Sequence, residues 1–425
     1  MTAINLRSIS ESWKNTASFF RTKPEYALLV VGFFLLYAPL ALRASQGLIY
    51  EAYNYAFDLD VSRFAEGLGG VSDPDGVKHP YISLLRPLAL PFQAVGFGWR
   101  GAAALTASAA GAATIAFALG FLRTIGLGRI DAVLLACFFG VSAAQMTNGF
   151  LPESYVFSSL GLTAAWLWAA RRVKSGVVAH PLSPTPAVFL FGVTVTNILQ
   201  AGLIEAAVRF SAHRVSRAFL FSMIRWGLIA TIASLLLAAL ANLGPALNAL
   251  DDPAGAVKKL LWAQTKGPTE SLAQLLGVVF FMSVAAPAPT EVVLEDGKTI
   301  LDYRTFVFSP LGWPALVVWI GLLAESARDW WKKRQEDIDW IRVGLVLALA
   351  FNIVFHLKYQ FRGSIFLYVG HWSFALFALA SYGGLSIAEW PDRLRAMVRA
   401  GAGLAVIGLG TANYLQSWRV ASAFG

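Results

Sequence analysis

Runs of about twenty apolar residues recur along this chain, at 26–42, 102–122, 219–243, 341–355, 365–382 and 400–415, and no other feature limits its fold as strongly. A helix needs about 20 such residues to cross the hydrocarbon core of a bilayer. Inside lipid, every backbone N–H and C=O must be satisfied within the protein, which selects helices over loops and open sheets. Only 14% of the 425 residues are charged, against roughly 25% in soluble domains. The pattern predicts an all-α polytopic membrane protein. It consists of a cytoplasmic N-terminal segment, 1–25, and one transmembrane domain, 26–425, with outer loops at 44–101 and 244–308. The first apolar run is not followed by a small-residue cleavage site, so it reads as a retained helix.

Charge gives the topology. Arg7, Lys14, Arg21 and Lys23 precede the first run, whereas Glu51, Asp58, Asp60, Glu66, Asp73 and Asp75 follow it. The positive-inside rule then places the N-terminus in the cytoplasm and the acidic loop outside. The net charge of +9 comes from short basic clusters between apolar runs, a topological signal and not a nucleic-acid footprint. Segment 81–97 is interrupted by Arg86, Pro87 and Pro91. If it crossed the bilayer, Arg171, Arg172 and Lys174 would fall outside, so it is expected to lie in the interface. Segment 188–208 carries a polar break at Thr194, Thr196, Asn197 and Gln200 and reads as two short half-helices turning near Asn197. About eleven crossings result, with interfacial helices in the first outer loop, a short interfacial piece at 272–286 and a hairpin-like stretch at 291–298. The lone cysteine, Cys137, lies in an apolar run and supports neither a disulfide framework nor a cysteine metal site.

The charged run that follows directly on the first apolar span is Phe57-Asp58-Leu59-Asp60-Val61-Ser62-Arg63, followed by Lys78-His79-Pro80-Tyr81. Two carboxylates two residues apart share a side in an extended loop. They suit either oxygen ligation of a divalent cation, Mg or Mn, or general-base chemistry on a hydroxyl. The plain alternative is a solvated acidic loop with an i,i+3 ion pair between Asp60 and Arg63. Lys78 and His79, with Arg86, suit an anion at the interface, although a proline-started helix would look the same. Glu153 follows Pro152 at the outer mouth of a helix, where an acid also suits the helix dipole. Glu205 sits in an apolar run with Arg209 as its expected partner. Lys358, Arg362 and His371 together could clamp a phosphate where water is scarce, with Tyr368 and Trp372 nearby.

The order of these features resembles the GT-C superfamily of membrane glycosyltransferases, which includes protein O-mannosyltransferases and the lipid A aminoarabinose transferase. The likeness rests on one helix, the acidic outer loop with Asp58 and Asp60, Lys78-His79-Pro80-Tyr81 on a broken interfacial helix, and the short hairpin around Asn197. The resemblance implies transfer of a sugar from a polyprenyl-phosphate donor to a glycan, lipid or protein acceptor on the outer face of a bacterial inner membrane. Asp60 would be first choice as base or metal ligand and Asp58 second. Lys78, His79, Arg362 and His371 would face the donor phosphate, and Glu153, Arg63 and Tyr368 would orient the acceptor. The competing class is a transporter or flippase of a lipid-linked saccharide, suited by broken helices and an intramembrane acid.

Overall fold

Helix α1, Pro24–Ser45, starts on a proline, which costs nothing at a position whose N–H has no intrahelical partner, and places Glu25 in its first turn and Arg43 in its last. It opens a helical bundle in a computed structural model that describes residues 23–51, 55–71, 79–212, 216–241, 271–294, 297–333, 338–358 and 364–423. After α1 come α2 (Val61–Gly69), α3 (Trp99–Thr124), α4 (Arg129–Gly140), α5 (Ala143–Phe150) and α6 (Ser154–Ser175). The two half-helices α7 (Thr185–Val193) and α8 (Asn197–Phe210) follow, then α9 (Arg217–Ala241) and α10 (Leu272–Gly277). A hairpin, β1 (Thr290–Val293) and β2 (Thr299–Asp302), precedes α11 (Gly312–Lys333), α12 (Trp340–Lys358), α13 (Ser373–Ile387) and α14 (Asp392–Ser422).

Among the described residues, α1, α3, α9, α12 and α14 are long and apolar enough to cross a membrane, and the bent pair α4/α5, 63° at its break, makes a sixth. This stands below the eleven read from the sequence, for visible reasons. Helices α6 and α11 each have 22 residues, but α6 ends among Arg171, Arg172 and Lys174, and α11 carries Glu325, Arg328 and Asp329. Helix α13 has only 15 residues, and α7 and α8 have 9 and 14. The break between α7 and α8 falls at residues 194–196, where the polar interruption places it. Segment 81–97 forms three short pieces, Ile82–Leu85, Arg86–Leu88 and Leu90–Ala94, and makes no span.

Small residues set the spacing in the N-terminal half. Helix α3 packs between α1 and α6. A Cβ on Gly149 would fall 2.4 Å from the Tyr37 ring, so only glycine admits that ring, whose hydroxyl then donates to the Gly140 carbonyl at 2.6 Å. Glu205 takes Arg209 at 2.7 Å, as its spacing predicts, and also Arg172 of α6 at 2.6 Å. Both oxygens of a buried carboxylate are thereby offered cations, a structural pairing.

The departure from all-α is the hairpin. Strands β1 and β2 pair antiparallel with Thr290 opposite Asp302 and Val293 opposite Thr299, and Gly297 supplies the left-handed residue of the turn. Its free edge receives the loop that follows α1: Leu301 donates to the Tyr55 carbonyl and Phe57 to the Leu301 carbonyl, both at 2.8 Å. Segment 55–57 thus meets β2 in an isolated parallel bridge, Ala56 opposite Leu301.

Candidate active site

That bridged segment ends in two successive residues with positive φ, Phe57 at 52° and Asp58 at 56°. Left-handed backbone costs a non-glycine residue roughly 1–2 kcal/mol. Here the cost is met by burial of the Phe57 ring between Tyr303 and Phe366, with centroids 4.8 and 5.0 Å away. Burying a phenylalanine contributes about 1.5–3 kcal/mol, and each aromatic pair adds about 0.5–1.5. The turn is therefore held by its surroundings. It presents Asp58 inward, where the carboxylate accepts from Lys298 Nζ at 3.1 Å. Beyond it lies Asp302, whose carboxylate accepts from Ser364 Oγ at 2.7 Å and sits 2.7 Å from Arg304 Nε. Burial pushes the Asp302 carboxyl up to about 7; hydrogen bonds from Ser364 and the Tyr303 backbone oppose the rise, and the Asp58 charge adds to it.

Asp60 occupies the N-cap position of α2 without capping it through its side chain. Arg63, one turn on, is 4.0 Å away, so the expected ion pair forms at its outer limit. Helix α2 buries Val61, Phe64, Ala65 and Leu68, the i, i+3, i+4, i+7 face, and turns Arg63 and Glu66 away. Gly70 closes it in the left-handed conformation, and Arg86 Nε donates to the Gly67 carbonyl near this end. Arg86, grouped with the anion-facing charges by sequence, spends that donor on holding a helix.

A second group gathers where α6, α12 and the turn Phe366–His371 meet. His356 stacks on Tyr368 at 4.2 Å and lies 5.8 Å from His371, while Tyr155 is 4.9 Å from His371 and meets Tyr368 edge-on at 5.9 Å. His371 is within electrostatic reach of both His356 and His79. His79 is docked on the half-helix break, its Nδ1 2.8 Å from the Val193 carbonyl. A carbonyl only accepts, so Nδ1 carries a proton, and Nε2 must carry one as well for this ring to donate to a phosphate. Tyr81 pins the same segment: its N–H donates to the Gly192 carbonyl at 2.9 Å, and its ring covers Gly192 so closely that a Cβ there would lie 1.6 Å away. Behind the break, Asn197 donates to Ser158 at 2.9 Å, and Gln200 and Asn352 exchange amide hydrogen bonds. Glu153 is the N-cap of α6, buried, and its Oε1 accepts from the Ser154 N–H at 2.7 Å.

No family model and no curated protein matches this chain. Solved structures do. The oligosaccharyltransferase of Archaeoglobus fulgidus in complex with Zn and sulfate is similar at TM-score 0.45 and 13% identity, over 93% of this chain and 53% of that one. Its apo form gives 0.46 and 14%, over 94% and 56%. The archaeal oligosaccharyltransferase AglB from the same organism, in complex with an inhibitory peptide and a dolichol-phosphate, gives 0.45 and 13%, over 96% and 56%. The chain spans about half the length of these proteins.

The structure thus brings Tyr368 and His371 together, anchors His79 against the break, and places Asp58, Asp60 and Arg63 on one turn and the helix after it. Lys78 and Arg362 lie outside the described residues, as does the Lys358 side chain. Four residues of this neighbourhood were not singled out from sequence: Lys298, Asp302, Arg304 and His356. The sequence offered a hairpin-like stretch at 291–298, but nothing local told which loop it would pair with. A divalent cation on Asp58 and Asp60 fits poorly here, because Lys298 already compensates the Asp58 carboxylate. Among the described residues, no three His, Cys, Asp or Glu side chains converge as a ligand set.

Proposed function

We propose that this protein transfers a sugar from a polyprenyl-phosphate donor to an acceptor at the outer face of the membrane, with Asp60 taking the acceptor's proton. The observation that carries the reading is the left-handed turn at Phe57 and Asp58. Backbone strain of this kind persists where the surroundings over-determine it, and such places cluster at active sites. Asp58 is committed to Lys298 and locks the turn. Asp60 retains 16% side-chain exposure against 5% for Asp58, and lies 4.0 Å from Arg63; the greater exposure makes it the carboxylate more open to an acceptor hydroxyl.

In the proposed reaction, the acceptor oxygen forms a bond to the anomeric carbon as its proton passes to an Asp60 oxygen. The anomeric carbon–phosphate oxygen bond breaks, its electron pair leaves with the carrier phosphate, and the anomeric configuration inverts. His79, oriented by Val193, and His371 bind the leaving phosphate with Lys78 and Arg362, while Glu153, Arg63 and Tyr368 orient the acceptor. The carrier's isoprenoid tail lies between helices. No step is routed through a metal ion.

The test is turnover of the full chain in proteoliposomes with a panel of polyprenyl-phosphate sugars. Asp60→Asn should abolish transfer while leaving expression and the melting temperature intact, and retained turnover would remove Asp60 from the mechanism. The broken pair α7/α8 also suits a transporter. Movement of a lipid-linked saccharide across the bilayer without transfer, unchanged in Asp60→Asn, would favour that class instead.

A further inference from the structure

At the opposite end of α1 from Asp58, the first turn of α1 and the last turns of α3 and α6 enclose a recess of about 590 Å³. Lys23, Arg123, Arg171 and Lys174 line it, with Tyr26, Thr124 and Ser175 between them. The single carboxylate in the lining, Glu25, is engaged by Arg129 at 2.9 Å. Two of the cations are fixed in place: Arg123 Nη1 donates to the Leu127 carbonyl at 2.6 Å, and Lys174 Nζ to the Thr124 carbonyl at 3.3 Å. The convergence is built by close packing, since a Cβ on Gly120 would lie 2.9 Å from Leu167 Cδ2, and this approach of α3 to α6 sets their basic ends side by side.

We infer that this recess binds the phosphate headgroup of an anionic membrane lipid. Three observations select a lipid over a soluble anion. The recess lies where two of the membrane-length helices, α1 and α3, reach their polar ends, which is headgroup level. On α3, the exposed Phe117 stands in line with Gly120 and Thr124 at i, i+3 and i+7, offering apolar surface directly below the recess. On α1, Leu28, Val31 and Leu35 form an exposed apolar stripe of the same spacing, which acyl chains cover. Four cations facing one engaged carboxylate match a headgroup with two phosphates better than one with a single charge. Basic pockets between helices at a membrane surface recognise headgroups of this chemistry. The site is independent of the catalytic proposal: it lies at the far end of the bundle and involves none of those residues.

The full chain in nanodiscs of zwitterionic phosphatidylcholine is titrated with diphosphatidylglycerol, and retained lipid is counted by native mass spectrometry. One lipid should be retained per chain, with an affinity that falls as salt rises. Each charge removed should weaken binding about fivefold, so Arg123→Gln/Arg171→Gln/Lys174→Gln should weaken it on the order of 100-fold. The single variant Lys23→Gln, expected near the fivefold loss, serves if the triple variant does not fold. Unchanged retention in either variant overturns the site. Equal protection against thermal unfolding by millimolar inorganic phosphate, with no gain from the lipid, overturns the lipid assignment.

Discussion

Replacing Asp58 with asparagine isolates the charge that fastens the loop after α1 to the hairpin. Asparagine is the substitution of choice because it tolerates the left-handed conformation at φ 56°, so the backbone is spared and only the ion pair is lost. A hydrogen bond between charged groups contributes about 1.5–3 kcal/mol. The Asp58 side chain is 5% exposed but Lys298 is 31% exposed, and solvent at the lysine reduces the expected loss to about 1–2 kcal/mol. Relief of Asp58's repulsion on Asp302 returns a small part of it, since burial far outweighs that charge in raising the Asp302 carboxyl. A loss of this size raises the open population of a local unit about 5–30-fold. Hydrogen exchange reads it directly at two amides, Phe57 and Leu301, which bond across the parallel pairing at 2.8 Å. Both should lose protection by that factor in Asp58→Asn, with amides in α3 unchanged. Lys298→Met should do the same, and the double variant should add little to either single one. Undiminished protection at Phe57 and Leu301 would mean that the ring burial alone holds the turn, and the role given to Asp58 would be wrong.

Two further outcomes follow from single contacts. Gly192→Ala must displace Tyr81, whose ring lies 1.6 Å from the added Cβ, so Tyr81, buried in the native protein, should become open to nitration and sugar transfer should fall at least tenfold; continued protection of Tyr81 would refute the docking of this segment on the half-helix break. Asp302 has a folded pKa of about 7 against an ordinary 3.8, so its folded form holds a proton that the unfolded form releases. Its contribution is complete below pH 3.8, is lost as pH rises to 7, and is level above. Protection of the hairpin amides, corrected for intrinsic exchange, should decline across that window in the native protein and stay flat in Asp302→Asn.

How much of this was legible in the sequence depends on the range over which each feature is decided. Helices α1, α3, α9 and α12 and the break near Asn197 are local matters of apolar length and polar interruption. The same is true of the failure of 81–97 to make a span, since Pro87 and Pro91 cut it regardless of surroundings. The number of crossings was less legible, because α6 and α11 mix apolar faces with charges that find buried partners only in three dimensions: Arg172 on Glu205, and Arg342 on Asp329 at 2.9 Å. Asp58 and Asp60 stand out as acids placed directly after the first apolar span, yet their different settings do not. Both are aspartates in one short run, and only the φ values and the lysine brought from the hairpin separate a buried, left-handed Asp58 from an Asp60 at the start of a helix.

That separation changes where loss-of-function substitutions should be sought. Lys298 is 240 residues from Asp58, in a stretch that sequence reading treats as an outer hairpin without chemistry. Strand β2 is paired on both edges, with β1 on one side and 55–57 on the other, so the hairpin is a clamp that fixes the acidic turn in register. A one-residue slip in β2 would turn its side chains to the opposite face. It would withdraw Asp302 from Ser364 and carry Lys298 away from Asp58. The left-handed pair at Phe57 and Asp58 would then lose what compensates its strain and relax toward ordinary extended backbone. The carboxylate of Asp60, two residues on, would move with it. Changes in the hairpin turn around Gly297 are therefore expected to behave as active-site changes, reducing turnover more than they reduce the amount of folded protein, whereas changes of similar size in the exposed face of α9 should do neither.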